Sequence, residues 1–338
     1  MTPKTRTARS TRAPVRSRTP SRRQPGRAGG RRARLVIALV AAATAAAVLW
    51  MALGSSTDTQ AAGEPVERFM HLHGLEIAPW APDEVYVSTH QGLIRIDEDG
   101  AWRFVSEEPH DFMGFAASPT DPHTLYSSGH PAQGSGLANP IGFMVSTDAG
   151  ATWTPRSLEG QVDFHAMAVQ PGDGQVIYGW DATGGGLYRS TDGGHSWQTV
   201  AAPQLDAAGG ALSLAVHPAD PDRLLAGTSA GLLESHDGGS TWSPLLELPV
   251  SAVLTVADDP ERLLAYAATP DDGLVESRDG GETWAPLGLV VHDDAVGHLA
   301  VHPADPDIIY AGTFGEDLHR TRDGGGSWEQ LADAGRPH

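Results

Sequence analysis

STDGGHSW, residues 190–197, returns with small changes along the second half of the chain: STDAGATW ends at Trp153, SHDGGSTW at Trp242, SRDGGETW at Trp284 and TRDGGGSW at Trp328. The five tryptophans stand 44, 45, 42 and 44 residues apart, and a worn copy, DEDGAW, ends at Trp102. A period of this length marks a stacked or radial repeat. The phrase also has a local mechanism. The Asp192 carboxylate can turn back onto backbone N–H groups of its own turn, Gly193 and Gly194 supply positive φ, and Trp197 packs beneath the turn as the next strand begins.

Each copy sits in the same setting. Within residues 211–245 the order is LSLAV, HPADPDR, LLAGTS, GLLES, then the eight-residue phrase and a further strand from Trp242. Short apolar runs of strand length, split by Pro, Asp and Gly, recur without a helical period between them. Four short strands per unit and about six units predict an all-β, six-bladed β-propeller over residues 68–333, with 334–338 as a tail. Radial closure leaves such a fold only short strand edges. A parallel β-helix is the competing repeat fold, but its coils are shorter than these units.

The recurring phrase resembles the Asp-box, or BNR repeat, of sialidases and their relatives, and the chain is similar as a whole to BNR-type glycosylhydrolases. In that superfamily the box lies on the outer turn joining the third and fourth strands of a blade. The resemblance therefore implies that Asp148, Asp192, Asp237, Asp279 and Asp323 are architectural. It also implies that chemistry sits at the mouth of the central channel, lined by the start of each first strand and the end of each second.

The amino end is a different object. Residues 1–34 carry Lys4 and eleven arginines but no acid, a composition that predicts a disordered basic cytoplasmic tail. Residues 35–54, LVIALVAAATAAAVLWMALG, run without a charge. Twenty such residues match the ~30 Å hydrocarbon layer as a helix. The basic residues before it place the N-terminus in the cytoplasm and the propeller outside. The expectation is a single-pass protein of the cell membrane with residues 55–67 as a stalk. A cleaved signal peptide, giving a secreted protein, is the rival.

Of 23 Lys and Arg, 12 precede residue 35, which leaves 11 against 42 acids, a formal −31 on the part beyond the apolar run. Such a surface repels nucleic acid and anionic lipid, so neither is an expected partner. The chain has no cysteine. Disulfides, thiolate metal sites and a cysteine nucleophile are excluded. A monomer is expected, with a glycan or a protein as a further possible ligand.

Aligning the units on the proline that closes the first strand (Pro79, Pro119, Pro171, Pro218, Pro303) brings out an asymmetry. Eight residues earlier stand His71, Asp111, Asp163, Gly210 and Ala295, and six earlier stand His73, Met113, His165, Leu212 and Gly297. The ends of the second strands carry His90, His130 and Trp180-Asp181, then Ser229, Thr269 and Phe314. Blades one to three thus place His, Asp and Met where the later blades place small or apolar residues. Neutral imidazoles of His71, His73, His90, His130 and His165 can share one ion. Imidazole suits copper or zinc, and the Met113 thioether tilts the choice toward copper. The main expectation is a ligand or metal site in this pocket.

The alternative is glycoside hydrolysis, with Asp111 and Asp163 as the carboxylate pair that an inverting enzyme needs about 6.5–9.5 Å apart. Trp180 would then offer a sugar-stacking face beside Asp181. True sialidase activity is not expected, because the first-strand positions carry no arginine and no FRIP-like sequence precedes the boxes. A second alternative is a non-catalytic scaffold, since the chain also resembles, more loosely, Asp-box propellers that assist assembly of membrane complexes. The segment HPAQGSGLANPIG, residues 130–142, outgrows its repeat and would suit protein binding.

Overall fold

The structure, a computed structural model, describes residues 62–338 apart from 78–81, 83, 270 and 271. The basic tail, the apolar run and most of the expected stalk lie outside the described residues. Among the described residues, no helix is long and apolar enough to cross a membrane.

Six antiparallel sheets follow one another along the chain. Blade one holds β1 (Leu72–Ile77), β2 (Val85–Thr89), β3 (Gly92–Ile96) and β4 (Trp102–Phe104). Blade two holds β5 (Asp111–Ala117), β6 (Leu125–His130), β7 (Phe143–Ser146) and β8 (Thr154–Ser157). Blade three holds β9 (Phe164–Val169), β10 (Ile177–Asp181), β11 (Leu187–Ser190) and β12 (Gln198–Val200), followed by a single helical turn and a half, α1 (Pro203–Ala207). Blade four holds β13 (Ser213–His217), β14 (Asp220–Gly227), β15 (Leu232–Ser235) and β16 (Ser243–Leu246). Blade five holds β17 (Val250–Val256), β18 (Asp259–Ala267), β19 (Gly273–Ser277) and β20 (Ala285–Pro286). Blade six holds β21 (Val296–Val301), β22 (Ile309–Thr313), β23 (Leu318–Thr321), β24 (Glu329–Asp333) and β25 (Arg336–Pro337).

The first strands form the inner ring. Each packs on the next, and β21 packs back on β1, so the circle closes. The protein is an all-β, six-bladed β-propeller. Its core lies between blades rather than within one: Leu75, Val87 and Ile94 of blade one share a cluster with Ala300, Tyr310 and Leu318 of blade six. Two boundaries differ from expectation. Residues 334–338 are no tail: they add β25 to the last sheet, and Gly335 O accepts from Phe69 N at 2.8 Å. The end of the expected stalk joins blade one, where Pro65 bridges Arg103 and Val66 is buried. Burial of Val66 and of Phe69, stacked on Trp102, fastens both ends to the ring.

The recurring turn lies between the third and fourth strands of blades two to six. In blade three the Ser190 hydroxyl donates to Asp192 Oδ1 at 2.9 Å and accepts from Gly194 N at 2.9 Å. Ser196 N donates to the same carboxylate oxygen at 2.9 Å, and its hydroxyl to the other at 2.6 Å. The second glycine does more than turn. Gly194 has φ +83°, and a Cβ there would lie 2.1 Å from Cε1 of Phe143 in blade two. The equivalent glycines meet the preceding blade in the same way: Gly150 on Leu93, Gly239 on Leu187, Gly281 on Leu245 and Gly325 on Leu287. Each turn is thus a contact between blades as well as a hairpin.

Candidate functional site

A β-bulge builds the mouth. In β1 the pairing register jumps between Leu72 and Gly74, which leaves His73 unpaired. The jump in β5 leaves Met113 and Gly114 unpaired, and that between β9 and β10 leaves His165. Blade six has the same bulge at Gly297. In blades one, two, three and six the residue six before the closing proline is therefore a bulge residue, whereas in blade four the pairing runs on from Ser213 without such a jump. Bulges re-aim side chains, and His73 and His165 line the axial cavity.

From blade one, His73 Nε2 lies 3.3 Å from His90 Nε2. His90 Nδ1 lies 2.6 Å from Asp111 Oδ1, across the boundary to blade two. His73, His90 and Asp111 offer three ligand atoms all within 4.8 Å of one another. Burial, then the neighbouring His90, His165, His298 and His71, hold His73 well below the usual imidazole value, so its ring is neutral. The His71 ring meets the His90 ring edge-on with centroids 4.7 Å apart. Its backbone adopts φ 52° while its N–H donates to Glu316 Oε1 at 3.1 Å, a contact from blade six. Burial and His90 lower His71 as well.

A second group forms one blade further on. Asp163 Oδ2 lies 3.2 Å from His130 Nε2 and 2.8 Å from His165 Nε2. His130 Nδ1 lies 2.6 Å from Asn139 Oδ1, so both its ring nitrogens face acceptors. Burial opposes the charged ring, but the hydrogen bond and charge of Asp163, with help from Asn139, carry His130 up to about 9. Burial likewise opposes the Asp163 anion, yet His130 and His165 hold its carboxyl well below the usual carboxylate range. Asp163 Oδ1 is buried with no hydrogen-bond partner among the described residues.

The expected set is therefore brought to one mouth but sorted into two groups, not one shell. The rule behind the sorting is simple: the aspartate beginning one blade takes the histidine ending the second strand of the blade before. Asp111 takes His90, and Asp163 takes His130. Met113 occupies the bulge of blade two, buried. Asp181 is structural, accepting from Asp163 N, Thr183 N and the Thr183 hydroxyl. Trp180 differs from the expectation of a stacking face: it is buried in the core between blades three and four, under Gly210.

Three residues join the site that the sequence pattern does not single out. Asn139 sits on the long segment of blade two, whose start is fastened by Ala132 N donating to His110 Nδ1 at 2.9 Å. His298 stands one residue beyond its blade's bulge, and burial pushes it down to about 4. Glu76 lies deeper in the axial cavity.

Comparison with known proteins agrees with this architecture. The family profile Sortilin-Vps10 (sortilin, neurotensin receptor 3) matches residues 142–270. The xyloglucanase Xgh74A of Acetivibrio thermocellus is 28% identical over 145 residues, 35% of this chain and 17% of its own length. The crystal structure of the GH74 xyloglucanase from Xanthomonas campestris superposes with a TM-score of 0.56 at 22% identity, over 80% of this chain and 46% of that one. The structure titled YCF48 bound to D1 peptide superposes at 0.50 and 16% identity, over 82% and 85%. The chain thus spans less than half of the xyloglucanases it resembles. Together these likenesses describe a glycoside hydrolase-like propeller fold. Toward a metal, the structure offers the grouping of His73, His90 and Asp111.

Proposed function

We propose that this glycoside hydrolase-like propeller works outside the cytoplasmic membrane, tethered by residues 35–54, and binds one copper or zinc ion at the blade-one side of its mouth. The observation that carries the reading is the His73–His90 pair, with Nε2 atoms 3.3 Å apart and Asp111 2.6 Å behind His90. Imidazoles that bind a metal generally donate their other N–H to a carboxylate or carbonyl, which fixes the tautomer and aims the free lone pair. Donation from His90 Nδ1 to Asp111 leaves its Nε2 lone pair facing His73. The neutral His73 ring needs only to carry its own proton on Nδ1 to present a second lone pair. His71 is the nearest third donor. In this reading His130 is no ligand, because both its nitrogens carry protons.

The experiment is metal analysis of the purified protein after loading with Cu(II) or Zn(II) and desalting. One ion per chain is expected, lost in the His73→Ala/His90→Ala double variant while the circular dichroism spectrum is unchanged. No stoichiometric ion in the wild-type protein refutes the reading.

The second reading is glycoside hydrolysis, which the xyloglucanase likeness supports better than it supports a metal site. Asp163 fits the anionic role in such a pair, whereas a general acid must keep its proton near neutral pH. That acid would have to be Asp111 or the His130 imidazolium. Release of sugar from a xyloglucan and β-glucan panel by metal-free protein, abolished in Asp163→Asn, would establish this reading over the first.

A further inference from the structure

The register of the inner strands isolates one residue. The positions opposite Tyr86, Tyr126, Tyr178, Leu225, Leu264 and Tyr310 on the second strands are equivalent in the six blades. They hold Glu76, Ala116, Ala168, Ala215, Leu254 and Ala300. Five blades place an alanine or a leucine there, and blade one places a carboxyl. All but Ala300 line the same axial cavity of about 240 Å³. Its wall is mixed: Met167, Leu214 and Leu299 stand beside His73, His165, His298, Ser213 and Thr255. Glu76 makes no hydrogen bond or ion pair to another described side chain. Its residual exposure faces the cavity, and burial pushes its carboxyl up to about 8. It lies three positions along the strand from His73, about 10 Å at the usual rise, too far to share an ion with that ring.

An isolated buried carboxylate is costly, and it is relieved either by a proton or by a partner of opposite charge. The cavity tells which partner fits. Calcium and magnesium require six or more oxygen ligands, and a lining whose only carboxyl is Glu76 does not supply them. A ligand with an ammonium end and a short hydrocarbon body matches the carboxyl and the aliphatic part of the wall beside it. We infer that the axial cavity is a binding site for a small aliphatic amine, its ammonium group on Glu76 and its carbon chain along Met167 and Leu214. Apolar pockets with one or two placed polar groups are the common form of small-molecule site. The acidic surface of the protein, a formal −31 beyond residue 35, draws cations toward it.

The test uses n-butylammonium chloride as probe and n-butanol as its uncharged counterpart, read by isothermal calorimetry and by melting temperature at neutral pH. Saturable binding of butylammonium with a rise in Tm is expected, with butanol binding at least tenfold more weakly. Glu76→Gln should lose at least tenfold in butylammonium affinity. Absence of butylammonium binding to the wild-type protein, or equal binding by Glu76→Gln, or equal binding of butanol, overturns the inference. The protein is stripped of metal with EDTA beforehand, so the result is read apart from any ion on His73, which lines the same cavity.

Discussion

Replacing Gly194 by alanine tests whether the recurring turn is a contact between blades. The new Cβ would sit 2.1 Å from Cε1 of Phe143 and 2.7 Å from two further atoms of that ring. Phe143 cannot swing aside, because it is fully buried and wedged against Tyr126 and Trp197. Overpacking of this kind costs about 1–3 kcal/mol. Placing an L-residue at φ +83° adds about 1–2 kcal/mol. The sum, about 2–5 kcal/mol, lowers the Tm of a domain of this size by roughly 5–15 °C. Two controls separate the terms. In Gly281→Ala the clash is with the methyls of Leu245, at 2.6 Å, the movable end of a half-buried side chain. In Gly100→Ala, φ is +78° and nothing lies within 4 Å, so only the backbone term remains. Thermal and urea unfolding should rank the losses Gly194 > Gly281 > Gly100. Equal losses at Gly194 and Gly100 would refute the claim that the turn latches one blade to the next.

Asp237→Ala removes an acceptor for Thr241 N at 2.8 Å and for the Thr241 and Ser235 hydroxyls, so it should cost about 1 kcal/mol, solvent competing for these exposed groups. Metal or glycan binding should survive it, and a loss of binding without a loss of Tm would show that the turn is not architectural. His130 is raised to about 9 when folded. The stability it contributes is complete below its unfolded value near ~6.5 and disappears as pH rises through about 9. His130→Gln should flatten that decline in Tm measured from pH 6 to 10. Glu76, raised from 4.5 to about 8, produces a separate loss of stability as pH rises between those two values, which Glu76→Gln should remove. For topology, protease added to intact spheroplasts should digest the propeller, and protection of the propeller would overturn the extracytoplasmic assignment.

The architecture is legible in the sequence because a propeller repeats its own punctuation. The eight-residue phrase marks the third turn of blades two to six, and a closing proline ends the first strand of every blade but the fifth, so each unit carries at least one landmark and four carry both. Segments without landmarks are misjudged. Residues 334–338 lack both and read as a tail, yet β25 pairs with β24 through Ala332 and Asp333. Residues 63–66 read as stalk because no strand pattern shows in four residues. Their backbone nonetheless pairs with β4, as Val66 N donates to Trp102 O at 3.0 Å.

The mouth is legible for a deeper reason. In blades one to three a bulge at a fixed distance from the proline aims one side chain, so there an alignment of repeats is also an alignment of directions. That alignment picks out His73 and His165. It does not show the division into two groups, which depends on contacts between neighbouring blades, and a column shows only what each blade brings. His90 and Asp111 are twenty-one residues apart and belong to different repeats; their 2.6 Å approach is a property of the ring. Trp180 misleads for the same reason, since its place at a strand end says nothing of the Gly210 backbone that covers it. Glu76 is the instructive omission. The column three residues before the proline reads Glu76, Ala116, Ala168, Ala215 and Ala300. One acid among four alanines is visible in the sequence alone, and the argument that applies to histidine at the mouth applies equally to a carboxyl in the channel. A repeat that copies itself makes every departure from the copy a question about function, whichever column holds it.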